Sequence, residues 1–111
     1  MLDCGLSDER TITERLRKLV RIPPSSALIA GIGDDCAIYR PRGSADDLLF
    51  TTDLFIEGIH FLRETHKAAD VARKALARGL SDIAAMGGAP TFCLASVCLP
   101  KWASERWIQD L

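Results

Sequence analysis

Four acid-bearing segments follow one another in this chain of 111 residues: Gly31-Ile32-Gly33-Asp34-Asp35, Thr51-Thr52-Asp53, Glu57-Gly58-Ile59-His60-Phe61 and Leu80-Ser81-Asp82-Ile83-Ala84-Ala85-Met86-Gly87. Their carboxylates sit beside Gly, Ile, Leu and Ala, where the backbone turns or an apolar run ends. A carboxylate in such a place is costly to desolvate unless a cation or hydrogen bonds meet it. Converging Asp and Thr oxygens, with no His/Cys ligand pattern, suit a hard cation, above all Mg²⁺ carrying phosphate.

Each segment also has a plainer reading. Gly31–Asp35 can be a tight turn in which Asp34 bonds its own backbone. The doubled acid argues for more, because adjacent carboxylates repel and two glycines let a ligand approach the backbone. Thr51-Thr52-Asp53 can be a strand end, or two hydroxyls and a carboxylate completing an oxygen shell. His60 can be a hydrogen-bonded structural histidine, or a neutral ring that holds a substrate phosphate. Asp82 lies at the edge of an apolar helical stripe, either solvated there or facing a cation. His66, Lys67, Arg73 and Lys74 read as solvated helix charges, Asp46-Asp47 as solvated loop charge, and Trp102 and Trp107 as packing residues. A G-x-x-x-x-G-K-[ST] loop is absent, and Gly31-x-Gly33 is too short for a dinucleotide fingerprint.

The elements that position these residues are legible as an alternation of helix and strand. Thr11-Ile12-Thr13-Glu14 reads as a capping box, followed by the stripe Ile12, Leu16, Leu19 and Val20, and Pro23-Pro24 ends the helix. Ser25 and Ser26 continue a linker. Strands are expected at about 28–31, 35–40, 48–53 and 91–99, with a further one at 57–61, and helices at 12–20 and 67–87. Gly87-Gly88-Ala89-Pro90 supplies a glycine cap and a stop to the long helix. The fold expected is α/β (α+β), a small mixed or antiparallel sheet with helices covering one face. Helical signals resume at Ala103 and run to Leu111 without a cap, so the element is expected to continue in a longer protein.

Bulk properties narrow the class. The chain fits one domain with a modest core. A net charge of −1 gives no general attraction to nucleic acid or anionic lipid, and no apolar run approaches the ~20 residues of a membrane span. The first residues lack the pattern of a secretory leader. Four cysteines occur without C-x-x-C spacing, and Cys36, Cys93 and Cys98 lie in apolar surroundings, where thiols behave as small buried hydrophobes. A reduced, cytoplasmic setting is expected.

Taken in order, the four motifs resemble the N-terminal domain of the thiamine-monophosphate kinase family, which belongs with aminoimidazole ribonucleotide synthetase, selenophosphate synthetase and the hydrogenase-maturation dehydratase. The resemblance runs from about Arg10 to the end, and the Glu57-Gly58-Ile59-His60-Phe61 element favours the thiamine kinase over its relatives. It implies an ATP-dependent transfer of phosphate to thiamine monophosphate. It also implies Mg²⁺ ligation by Asp35, Thr51, Thr52, Asp53 and Asp82, with Asp34 a neighbouring candidate, and His60 against the thiamine phosphate. Gly79 stands where the family typically has Asn, so any contact from that side chain is lost. The family's Gly-Gly-Asp segment and its C-terminal domain are expected beyond Leu111, so 1–111 reads as a metal- and substrate-binding and dimerising part that is inactive by itself. Other members of the superfamily, in hydrogenase maturation or purine biosynthesis, and a non-catalytic dimerising fragment are the alternatives.

The 91–99 strand adds one expectation. Phe92, Leu94 and Cys98 fall on one face and Cys93, Ala95, Val97 and Leu99 on the other, whereas a one-sided sheet alternates polar and apolar. The second face therefore calls for a partner. The resemblance makes that partner a second copy, joined through a barrel-like interface between two sheets.

Overall fold

The computed structural model describes residues 8–24 and 26–111; Ser25, Cys4 and the N-terminal residues considered as a leader lie outside them. The chain divides into two compact units, Met1–Thr51 and Thr52–Leu111.

The first unit opens with helix α1 (Glu9–Leu19). Its N-cap is Asp8, not Thr11: the Asp8 carboxylate accepts from the Thr11 backbone N–H at 2.8 Å. Asp8 stands three residues before Thr11, so its carboxylate reaches an amide that the helix start leaves without a partner, and the helix gains a turn over the expected start. The apolar stripe does form, but α1 carries no buried residue and Leu19 is 78% exposed, so α1 does not cover a sheet face.

Three strands follow: β1 (Leu28–Ala30), β2 (Ala37–Tyr39) and β3 (Leu48–Phe50), paired in that order and antiparallel throughout. The sheet is thus not mixed. Consecutive strands joined by short turns can pair only by reversing direction. All three strands are shorter than expected, because the flanking residues leave the ladder for turns. Arg40 N–H donates to Ala27 O at 2.8 Å, prolonging the β1–β2 pairing by one bond. The β2–β3 loop turns at Gly43 (φ +79°) and is clasped by Arg40, whose Nε and Nη2 reach Asp47 Oδ1 and Oδ2 at 2.6 and 2.8 Å. Asp47 is therefore a two-pronged acceptor and not merely a solvated loop charge.

In the second unit, α2 (Ala68–Ala85) matches the expected long helix closely. It ends as its glycines demand. Gly87 has φ +70°, its N–H donates to Ala84 O at 3.0 Å, and Gly88 N–H donates to Ile83 O at 2.9 Å. This pair of bonds satisfies carbonyls that the last turn leaves open. A short α3 (Glu105–Gln109) is capped by Ser104, whose hydroxyl accepts from Trp107 N–H at 3.1 Å.

Two expected strands are not strands. Residues 57–61 form a tight turn in which Gly58 (φ +80°) donates to Phe61 O at 2.8 Å and His60 N–H donates to Ile56 O at 2.8 Å. Residues 91–99 have no regular structure and pair with no described strand; Leu94 is 93% exposed. Apolar composition favours a strand only where a neighbouring ladder takes up its backbone groups.

The buried apolar side chains among the described residues are few: Cys36 in the first unit, Ala68 and Val71 in the second. Cys93 and Cys98 are exposed, against the expectation that they would be buried, because the segment that carries them is uncovered. No described helix is long and apolar enough to cross a membrane.

Candidate functional site

Within the first unit, strand pairing gathers the first motif and the start of the second. Ala37 pairs with Phe50, so the beginning of β2 and the end of β3 lie side by side. The Gly31–Asp35 turn immediately precedes β2 and Thr51 immediately follows β3, which sets Asp34, Asp35 and Thr51 at one end of the sheet. The turn depends on its glycines in different ways. Gly33 has φ +129°, a conformation that L side chains rarely adopt, and a Cβ there would stand 3.4 Å from the Arg17 guanidinium. At Gly31 a Cβ would meet Ile22 at 3.4 Å. Asp34 realises the plainer reading, since its Oδ1 accepts from Asp35 N–H at 2.9 Å. That bond aligns the backbone and leaves Asp35 as an exposed carboxylate.

The second unit holds Thr52, Asp53, His60 and Asp82. Thr52 is exposed. Asp53 accepts from Arg78 Nη2 at 3.0 Å, with its side chain 26% exposed. Arg78 is one turn before Asp82 on α2, and residues four apart on a helix share a face. The ion pair thus ties Asp53 to the face of α2 that carries Asp82, which is half-buried. Arg78 is not among the site residues expected from the sequence. An opposite charge four residues before Asp82 was the signal that singles it out.

The His60 ring is held by two contacts among the described residues. Its Nδ1 accepts from the Ile56 backbone N–H at 2.9 Å, and its ring stacks on Phe55 at 5.4 Å, while Phe55 stacks in turn on Phe61 at 5.5 Å. With Nδ1 an acceptor, the proton of the neutral ring sits on Nε2. Among the described residues nothing accepts from Nε2, so the ring offers one N–H donor to a ligand anion.

No group of three or more His, Cys, Asp or Glu side chains stands close enough to hold a metal ion among the described residues. The donors are hard oxygens all the same, and Mg²⁺ keeps several waters, taking one or two carboxylates and the rest from phosphate. Asp35, Asp53 and Asp82 and the Thr51 and Thr52 hydroxyls are, taken residue by residue, donors of that kind.

The family model for AIR synthase related proteins, N-terminal domain, matches residues 33–111, a span that includes the Asp34-Asp35 pair and all three later motifs. The chain belongs to the AIR synthase related family. Among similar proteins, the thiamine-monophosphate kinase of Bacillus subtilis (strain 168) is 41% identical over 82 residues, covering 73% of this chain and 25% of the relative. That of Escherichia coli (strain K12) is 42% identical over 80 residues, 72% of this chain and 24% of the relative. That of Rhodopirellula baltica is 36% identical over 98 residues, 83% of this chain and 30% of the relative. The chain therefore spans 24–30% of the length of these relatives. No solved structure matches it significantly.

Proposed function

We propose that this chain is the N-terminal part of an ATP-dependent kinase that converts thiamine monophosphate to thiamine diphosphate with Mg²⁺, in the cytoplasm. The observation that carries the reading is the likeness, at 36–42% identity, to three proteins named thiamine-monophosphate kinase over the stretch bearing the motifs. In this reading residues 1–111 bind metal and substrate and dimerise, and the remaining machinery belongs to a longer chain.

Phosphoryl transfer asks little covalent chemistry of a protein. It asks for alignment of two phosphates and neutralisation of their charge. Mg²⁺, when bound, supplies the neutralisation. Asp35, Asp53 and Asp82 would hold it, with Thr51 and Thr52 adding neutral oxygens and Asp34 shaping the turn. His60 donates Nε2–H to the phosphate of thiamine monophosphate; its Nδ1 bond to Ile56 keeps that tautomer. The attacking oxygen of the substrate is already anionic, so no side-chain base is required. Arg78 holds Asp53 in register with Asp82 and limits the repulsion between them.

The exposed 91–99 segment supports the dimer part of the reading. Two copies that pair this segment would satisfy its backbone and cover its apolar faces, as in an obligate interface with two-fold symmetry.

An ADP-release assay on the chain extended through its C-terminal domain tests the reading. Turnover should depend on thiamine monophosphate and Mg²⁺, and Asp82→Asn should abolish most of it while leaving the melting temperature nearly unchanged. Normal turnover in Asp82→Asn would remove the assignment of Asp82. ADP release indifferent to thiamine monophosphate would remove the substrate. The 111-residue chain by itself should show no turnover.

A further inference from the structure

Beside the third acid-bearing motif, the second unit has an open cavity of about 580 Å³ lined chiefly by Arg63, His66, Lys67, Trp102, Trp107 and Asp110. None of the residues assigned above to metal or substrate lines it. Arg63 and Lys67 give it two cationic walls and Asp110 one acidic wall, in a chain whose net charge is −1.

The walls are ordered by contacts among themselves. Trp102 and Trp107 meet edge to face with centroids 5.2 Å apart, and Trp102 Nε1 donates to Glu57 Oε2 at 3.0 Å. The Arg63 guanidinium lies 5.3 Å from the centre of the Trp102 ring. A guanidinium placed over an indole gains a cation–π attraction and still has N–H donors for an anion. Lys74 Nζ stands 2.7 Å from His66 Nε2. An ammonium can only donate, so Nε2 accepts, while Nδ1 lies 2.9 Å from Thr65 Oγ1, 3.2 Å from Leu62 O and 3.3 Å from the Leu62 backbone N. His66 thereby anchors a further positive charge beside the cavity wall.

We propose that this cavity binds a small organic phosphate carrying one planar ring. Its volume falls in the ordinary range for small-molecule sites. Arg63 and Lys67 match the phosphate, Arg63 by a planar, two-pronged geometry and Lys67 as a point charge. The two indoles match the ring, because an aromatic wall accepts a planar group by stacking or by edge contact. Asp110 opposes a second anionic group and so favours a monophosphate over a polyphosphate. The proposal is independent of the kinase reading, since it uses none of that site's residues.

Trp102 and Trp107 are the two tryptophans of the chain, so intrinsic fluorescence reads this cavity directly. The purified chain is titrated with AMP, and separately with adenosine and with inorganic phosphate, in the absence of Mg²⁺. AMP should give a saturable change, with adenosine and phosphate each weaker by at least about tenfold, a difference of ~1.4 kcal/mol. Calorimetry on the Arg63→Ala/Lys67→Ala double variant should show AMP binding weakened by at least about tenfold as well, with unchanged circular dichroism. Should that variant misfold, Lys67→Ala alone, whose side chain makes no hydrogen bond or ion pair among the described residues, should weaken AMP measurably. Asp53→Asn/Asp82→Asn should bind AMP normally. An absence of saturation with AMP, phosphate binding as tightly as AMP, unweakened binding by the basic-residue variants, or loss of binding in Asp53→Asn/Asp82→Asn would each overturn the proposal.

Discussion

Arg78 Nη2 donates to Asp53 Oδ1 across 3.0 Å, joining a residue just past β3 to the middle of α2, 25 positions later in the sequence. The partners are 43% and 26% exposed, so water and salt still weaken the attraction. Arg78→Ala should lower stability by only about 0.2–1 kcal/mol. Urea titration checks this, and the difference should shrink at high salt, where exposed charges are screened. A loss several times larger would mean that Arg78 organises more than one carboxylate. Calorimetry with Mg²⁺ supplies the functional side: Arg78→Ala should weaken Mg²⁺ binding if Arg78 holds Asp53 in register, and tighter binding would mean that Arg78 only competes with the metal.

The turn that presents His60 depends on Gly58. Its φ is +80°, and a Cβ there would meet nothing within 4 Å. The cost of Gly58→Ala is therefore conformational, about 1 kcal/mol. Thermal melting should register it, and the amide signals of Ile56 and His60 should shift because the Ile56–His60 bond lies within the same turn. Gly33→Ala should cost more, since φ +129° lies well outside the left-handed region that non-glycine residues occasionally adopt.

Two carboxylates give the first unit an acid-sensitive component. The Thr11 backbone N–H holds Asp8 below the usual carboxylate range, and the Arg40 guanidinium does the same for Asp47 by hydrogen bonding and charge. A folded value below the unfolded one means that the stabilisation is present above the ordinary carboxylate range and is lost as pH falls through the lowered value. Asp47→Asn should therefore be less stable than the parent at neutral pH, and the gap should close in acid. Asp8→Ala should reduce helix content at neutral pH by circular dichroism and make little difference in acid. A gap that stayed constant with pH would show that neither carboxylate's charge matters.

Leu94 tests the dimer reading. At 93% exposure it has almost no packing to lose within one chain, so Leu94→Asp should leave monomer stability nearly unaltered. In light scattering, the parent chain should run as a dimer and the variant should shift toward 12.1 kDa. A parent chain that is already monomeric would remove the 91–99 interface.

Removal of the His60 ring separates binding from charge. His60→Ala should weaken thiamine monophosphate binding in the extended protein while leaving Mg²⁺ affinity unchanged, because Nε2–H is proposed to face phosphate and not metal. His60→Gln, which also carries an N–H donor, should recover part of the loss. Equal losses of phosphate and metal binding would instead point to collapse of the Phe55–His60–Phe61 stack.

Local signals determined the elements whose causes are local. The α2 boundaries and its glycine cap, the hairpin turn at Gly43 and the positions of the three strands all follow from periodicity and turn chemistry within a few residues. The four motifs likewise needed only sequence order to point to the family that residues 33–111 match. Tertiary structure decided whatever depends on a distant partner. Asp8, not Thr11, caps α1, because two acceptors near one helix start compete and geometry picks the winner. Residues 91–99 remain without a ladder, and Cys93 and Cys98 remain exposed, because an apolar run becomes a buried strand only where something covers it. Arg78 became the partner of Asp53 through an encounter across 25 positions that no local pattern encodes. His60 gained its tautomer from a backbone amide four residues away, once Gly58 had turned the chain back on itself.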